Sequence, residues 1–211
     1  MDTPELKPYP VPDGIKVPNL MPYQLFPWNN DPNIAAEVLR LKEAHGLNLA
    51  IETGTCLGST TLWLADNFPY VYTFEIHEPY LDIARARFGS ASNVDSTRDD
   101  SVSGFGVLFP ALQPSAKPLM FLDAHWTDNC PLLDELAAIA AQSRCGCILI
   151  HDFFVPGTDF GFDSMPDGRP FNLELIAGHL DRIYGRGKWK SNYPTEVAGA
   201  KRGWISIEPC S

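Results

Sequence analysis

Two short stretches carry the residue types that proton-transfer chemistry needs. "FLDAHW" supplies Asp123 and His125, and "ILIHDF" supplies His151 and Asp152, each set following an apolar run of strand length. A carboxylate or a neutral imidazole can take a proton from a hydroxyl group, and a free imidazole titrates at about pH 6.5. The same residue types are ligands for divalent cations. A lone histidine at a strand end more often bonds a neighbouring loop. Two histidines and two aspartates converging on neighbouring strand ends point to a site.

A third stretch, "AIETGTCLGSTTLWLAD", places Glu52, Gly54 and Gly58 between an apolar run and an amphipathic one. Ligands of open parallel sheets sit outside the carboxyl ends of the strands, and the first strand-to-helix turn is a common place. Glycine there permits φ > 0 and lets a ligand approach the main chain. The spacing E-x-G-x-x-x-G differs from the G-x-G-x-x-G whose bare amides hold a pyrophosphate. A carboxylate entering the turn disfavours a pyrophosphate and suits a ligand bearing an ammonium and a sulfonium, which is S-adenosylmethionine. Glu75 ends the next apolar run, 23 residues after Glu52, where a carboxylate can accept both hydroxyls of a ribose. Asp99, Asp100 and Ser101 stand where a third strand should end. Asp100 could accept from an adenine amino group and Ser101 bond the ring, a solvated acidic loop being the alternative reading.

The elements that must hold these residues read as alternating short apolar runs and amphipathic stretches. Strands are expected over "LNLAIET", "YVYTFEI", "PLMFLDAH" and "GCILIHDF", with helices over "STTLWLADNF", "EPYLDIARARFG", "CPLLDELAAIAAQ" and residues 171–184. Continuous apolar strands separated by helices predict a doubly wound α/β fold with a mostly parallel sheet. "KWKSNYPTE" and "GWISIEP" face each other across "VAGAKR" and predict a closing antiparallel pair. "DPNIAAEVLRLKEAHG" has Asp31 as an N-cap, Pro32 in the first turn and Gly46 as a stop. Residues 1–30, rich in proline and aromatics, read as an extended arm packing over a single domain at 31–211.

Composition narrows the partners. A chain of 211 residues with formal net charge -10 and no dense basic run argues against nucleic acid and anionic membranes as partners. A small-molecule or glycan acceptor fits better. The chain is expected to be soluble and cytoplasmic, in the host cytoplasm for a viral chain, and a homodimer is admitted without being specified. Five cysteines without framework spacing, Cys145 and Cys147 included, read as reduced thiols without metal chemistry. His45 and His179 read as surface or packing residues, and His77 as flanking the adenine or starting a helix. Trp63 reads as core, and Trp126 as an acceptor wall. The loop 155–170, with Phe160, Phe162, Asp163 and Arg169, joins the arm as a candidate for acceptor selection.

In their order, "IETGTCLGST", "YTFEIHEPYLDIARARF", "DDS", "FLDAH" and "ILIHDF" resemble the class I S-adenosylmethionine-dependent methyltransferases over roughly residues 35–210. The resemblance implies a seven-stranded sheet. It places Glu52, Gly54, Thr55, Gly58 and Ser59, with Asp123 beyond them, at the methionine end, Glu75 and Ile76 at the ribose, and Asp100 with Ser101 at the adenine. Within that superfamily the two strand ends resemble metal-assisted O-methyltransferases of sugars and catechols, and small glycan-modifying enzymes such as those that large algal viruses use on rhamnose. Asp123 and Asp152 would then hold a magnesium-type ion, with His151 as a third ligand that widens the choice toward manganese. His125 is the first choice for general base, with Asp123 or His151 able to serve without a metal. Rival readings are a catechol or phenol methyltransferase, an NAD-dependent oxidoreductase lacking its pyrophosphate turn, and a non-catalytic nucleotide-binding module.

Overall fold

The helix signals at Asp31 and Gly46 bound α1 (Pro32–His45) in the computed structural model, which describes residues 3–89, 91–125, 130–142 and 146–210. Asp31 accepts from the Asn33 amide at 3.0 Å, and Gly46 closes the helix at φ 61°. The chain then alternates β1 (Leu49–Thr53), α2 (Ser59–Asn67), β2 (Val71–Phe74), α3 (Glu78–Phe88) and β3 (Val94–Thr97). It continues through α4 (Ser101–Ala111), β4 (Pro118–Leu122), α5 (Leu132–Ala140), β5 (Cys147–His151), α6 (Leu173–Tyr184), β6 (Trp189–Asn192) and β7 (Trp204–Pro209).

The strands form one sheet in the order β3-β2-β1-β4-β5-β7-β6. β1 to β5 run parallel and β6 and β7 form an antiparallel pair, as the sequence pattern predicts, and β7 also lies antiparallel beside β5. The central strands β1, β4 and β5 are buried along their whole length because helices cover both faces, while the edge strands β3 and β6 alternate. One core holds Ile51, Phe105, Met120, Leu136 and Ile150, and the other holds Ile34, Leu41, Trp63, Phe121 and Leu149. Register fixes the site. Leu122 pairs with Ile150, so the next residues, Asp123 and His151, leave adjacent strands side by side.

Two segments differ from the sequence pattern. Residues 101–111, with Gly104, Gly106 and Pro110, show no helix signal yet form α4. Gly104 belongs there because a Cβ at that position would stand 2.2 Å from the Phe74 ring, so tertiary packing overrides its poor helix propensity. The arm is not simply extended, since a 3₁₀ turn forms at Pro22–Leu25 and a turn with left-handed Trp28 and Asn29 at Pro27–Asn30. Its Trp28 is buried, with its ring centroid 5.3 Å from Trp63 and 4.8 Å from Phe121. Tyr9 Oη donates to Asp66 at 2.6 Å.

Candidate active site

The turn after β1 uses its amides internally. Gly54 and Thr55 donate to the Phe74 carbonyl at 2.9 and 3.2 Å, Gly58 donates to Thr55 O, and Cys56 donates to Glu75 Oε2 at 2.8 Å. These four amides are unavailable to a pyrophosphate, which disfavours a dinucleotide on the ground the spacing suggests. The glycines also serve the packing of the fold. A Cβ on Gly54 (φ 83°) would meet Asp123 O at 2.5 Å, and one on Gly58 (φ 76°) would meet the Phe88 ring at 2.6 Å. On the side where a Cβ would project, the nearest atoms at both positions are the protein's own.

Glu52 is buried beneath this turn, its Oε2 accepting from Thr61 Oγ1 at 2.5 Å and Thr73 Oγ1 at 2.8 Å. Burial pushes its pKa up to about 8, with Asp123 and Glu75 adding to the rise and the two hydroxyls opposing it. Glu75 bridges two turns, its Oε1 accepting from the His77 amide and its Oε2 from the Cys56 amide, both at 2.8 Å. Ile76 beside it is exposed.

Asp100 caps α4 by accepting from Ser103 N at 3.0 Å, and hydrogen bonds from Ser103 hold its carboxyl below the usual range. The Ser101 hydroxyl donates to Glu135 Oε1 at 2.5 Å. Glu135 is a buried carboxyl of α5 whose pKa burial raises, and the sequence pattern gives no sign of it because it occupies a core-facing helix position. Ser59 donates to Gln24 O at 2.7 Å and accepts from Arg87 at 3.0 Å, which fastens the arm to the first turn.

These residues line one cleft of about 1170 Å³ at the carboxyl ends of the strands. Glu52, Gly54, Thr55, Gly58, Ser59, Glu75, Ile76, Asp100, Ser101 and Asp123 all face it, and Val17, Asn19, Gln24, Phe26, Trp28 and Asn29 of the arm roof it. Its size accommodates a nucleoside-bearing ligand together with a small second substrate.

Asp123 connects the cleft to the cluster behind it. His151 Nδ1 lies 3.1 Å from Asp123 Oδ1 and 3.5 Å from Asp152 Oδ2, while His125 Nε2 lies 3.8 Å from Asp123 Oδ1 and 3.5 Å from Asp152 Oδ2. The His125 side chain is 1% exposed and that of Asp123 21%. Despite burial, the facing carboxylates raise the pKa of both imidazoles, and the two histidines hold Asp152 far below the usual carboxylate range. Asp152 itself adopts φ 55°, a strained conformation at the end of β5. Arg202 grips it from the linker before β7, pairing through Nε with Asp152 Oδ1 and through a terminal nitrogen with Asp163 Oδ1. Asp163 is therefore a structural partner, and Arg169 pairs with exposed Asp167. Phe162 packs on Phe154. His45 bonds Glu208 at 2.5 Å, and Trp63 is core. Trp126 and Cys145 lie outside the described residues.

No protein-family model and no curated protein matches the sequence. Solved structures do match. The O-methyltransferase TomG of Streptomyces achromogenes, involved in tomaymycin synthesis and solved with S-adenosylmethionine, aligns at TM-score 0.61 and 17% identity over 85% of this chain and 81% of its own. The fold is that of the class I S-adenosylmethionine-dependent O-methyltransferases. A Bacillus cereus O-methyltransferase in complex with S-adenosylhomocysteine aligns at TM-score 0.57 and 20% identity, over 84% and 81% of the two chains. CalS10, an amino pentose methyltransferase from Micromonospora echinaspora, aligns at TM-score 0.51 and 17% identity, over 84% and 90%. No helix among the described residues is long and apolar enough to cross a membrane.

Proposed function

We propose that this protein is an S-adenosylmethionine-dependent O-methyltransferase acting on a hydroxyl of a sugar or glycan. The observation that carries the reading is one cleft, bounded by buried Glu52 and Glu75, that opens onto Asp123 of the aspartate-histidine cluster. Structural neighbours bind S-adenosylmethionine or its product, and CalS10 methylates an amino pentose, which supports the donor and the acceptor class respectively. A net charge of -10 favours a neutral acceptor over a polyanion.

The sulfonium is already activated, so the chain's task is to hold the acceptor in line and receive its proton. The acceptor oxygen forms the new bond to the methyl carbon, the carbon-sulfur pair returns to sulfur as a thioether, and the hydroxyl proton goes to the protein. Asp123 is the group placed to take it, because the histidines are almost wholly covered while Asp123 faces the cleft. His151 holds the Asp123 carboxylate from behind.

The cluster also fits a divalent cation. Among the described residues His125 Nε2 is buried without a hydrogen-bond partner, Asp152 Oδ2 lying 3.5 Å away as an ionic neighbour, and ligand atoms of Asp123, His125 and Asp152 all lie within 4.8 Å of one another. Two carboxylates and an imidazole suit magnesium or manganese. When bound, such an ion supplies positive charge that stabilises a developing alkoxide. Relative to the sequence expectation, the proton-accepting role passes from His125 to Asp123 and the histidine ligand is His125 rather than His151. His125 joins the ligands, and His151 orients the carboxylates.

Thermal shift with S-adenosylhomocysteine against NAD tests the donor, and stabilisation by NAD alone would sink it. Transfer of labelled methyl to glycosides, rhamnosides included, and to catechols tests the acceptor. Turnover of catechols alone would transfer the assignment to the phenol-acting class.

A further inference from the structure

Three consecutive residues of the arm, Trp28, Asn29 and Asn30, take left-handed φ values of 56°, 49° and 65°. Side-chain-bearing residues adopt this region rarely and at a cost, and such strain persists only where the surroundings impose it. Here they do. Trp28 N donates to Thr60 Oγ1 at 3.0 Å, Ala200 N donates to Asn29 O at 3.2 Å, and the Trp28 ring packs on Phe121. A Cβ on Gly199 would stand 1.9 Å from Asn29 O, so the linker between β6 and β7 is shaped to this turn. Phe121 lies on β4 two residues before Asp123, which follows the strand, and the Phe121 and His151 rings lie 6.4 Å apart. The turn therefore borders the proton-accepting end of the cleft. Asn29 lines that cleft, and its carboxamide has no protein partner among the described residues.

We propose that Asn29 selects the acceptor, its carboxamide binding a hydroxyl of a sugar in the cleft on the Asp123 side. A carboxamide both donates and accepts, which matches the paired character of sugar hydroxyls and gives little to an apolar ring. The clamped turn fixes that group before the acceptor arrives and so lowers the ordering cost of binding. This assignment rests on the methyltransferase reading with a sugar acceptor.

Asn29→Gly isolates the side chain, because glycine accepts φ 49° without strain and leaves the backbone contacts in place. Asn29→Asp retains shape and removes the donors. Steady-state kinetics on the most active glycoside of the panel, with S-adenosylhomocysteine affinity measured by calorimetry, separate the possibilities. The expected result is an acceptor KM about tenfold higher for both variants, with kcat and product affinity within twofold of wild type. A wild-type enzyme that methylates glycosides while both variants keep its KM overturns the Asn29 assignment alone. Variants that lose kcat and product affinity together with KM overturn it too, since that pattern marks a structural role. A wild-type enzyme that methylates no glycoside overturns the sugar reading, and the role of Asn29 with it.

Discussion

Asp123 Oδ1 and His151 Nδ1 meet at 3.1 Å across the adjacent ends of β4 and β5, and of the pair only Asp123 opens to the cleft. Asp123→Asn keeps the size and the hydrogen bond to the ring but removes the proton acceptor. Turnover should fall about 100- to 10,000-fold, the range over which a positioned base contributes. Affinity for S-adenosylhomocysteine should stay within a few fold. A variant that retains a tenth of wild-type turnover would assign the proton to another group.

His125 Nε2, without a hydrogen-bond partner among the described residues, makes a separate prediction. If it faces a cation together with Asp123 and Asp152, His125→Ala should weaken binding of manganese, followed by calorimetry, about tenfold or more. Chelation should lower turnover of the wild type, and added magnesium or manganese should restore it. Turnover that ignores both chelator and Asp152→Ala would remove the ion from the reaction.

The parts of this site readable in the sequence are those set by local pattern. Apolar runs and caps predict the sheet, and Asp31, Pro32 and Gly46 delimit α1 to the residue. Strand ends bring Asp123, His125, His151 and Asp152 together because parallel register aligns their carboxyl edges. What pattern cannot convey is long-range packing. Gly54 and Gly58 look like ligand-contact glycines, and only the fold shows Asp123 O and Phe88 in that space. Gly104 weakens the helix signal of α4 for the sake of Phe74. Glu135 is indistinguishable in sequence from any helix glutamate until Ser101 is placed against it. That both histidines are covered while Asp123 reaches the cleft depends on burial, and composition carries no sign of that.

Glu52 predicts how donor binding depends on pH. With its pKa raised to about 8 in the free protein, the carboxyl is protonated at neutral pH, whereas a cationic ligand favours the carboxylate. Binding should therefore release a proton below pH 8. Affinity for S-adenosylmethionine should tighten by up to about tenfold per pH unit from pH 6 to 8 and level off above. The same raised pKa makes Glu52 stabilise the free fold fully below its unfolded value of 4.5 and progressively less as pH rises through 8. Glu52→Gln should remove both slopes, and calorimetry in buffers of different ionisation enthalpy counts the proton directly. An affinity independent of pH over this range would place the ligand's positive charge elsewhere.

Arg202 lies 50 residues from Asp152 in sequence, in a linker where nothing marks it as part of the site. It joins Asp152 at the end of β5 to Asp163 in the 155–170 loop, and Asp163 N in turn donates to Asp152 O at 2.8 Å. Arg202→Met keeps most of the apolar stem and removes the charge, leaving Asp152 with only its histidine partners. Because Arg202 is 29% exposed, solvent moderates the loss, and a destabilisation of about 1 to 2 kcal/mol is expected. For a chain of this length that lowers Tm by roughly 2 to 8 °C. The freed loop should also become more sensitive to limited proteolysis near Pro156–Gly168. Arg202→Lys should recover part of the stability but not the two-carboxylate grip, since an ammonium lacks the fork that reaches both. If Arg202→Met melts and cleaves like the wild type, the strained conformation of Asp152 must be held without Arg202, by the sheet, the histidines and the Asp163 amide.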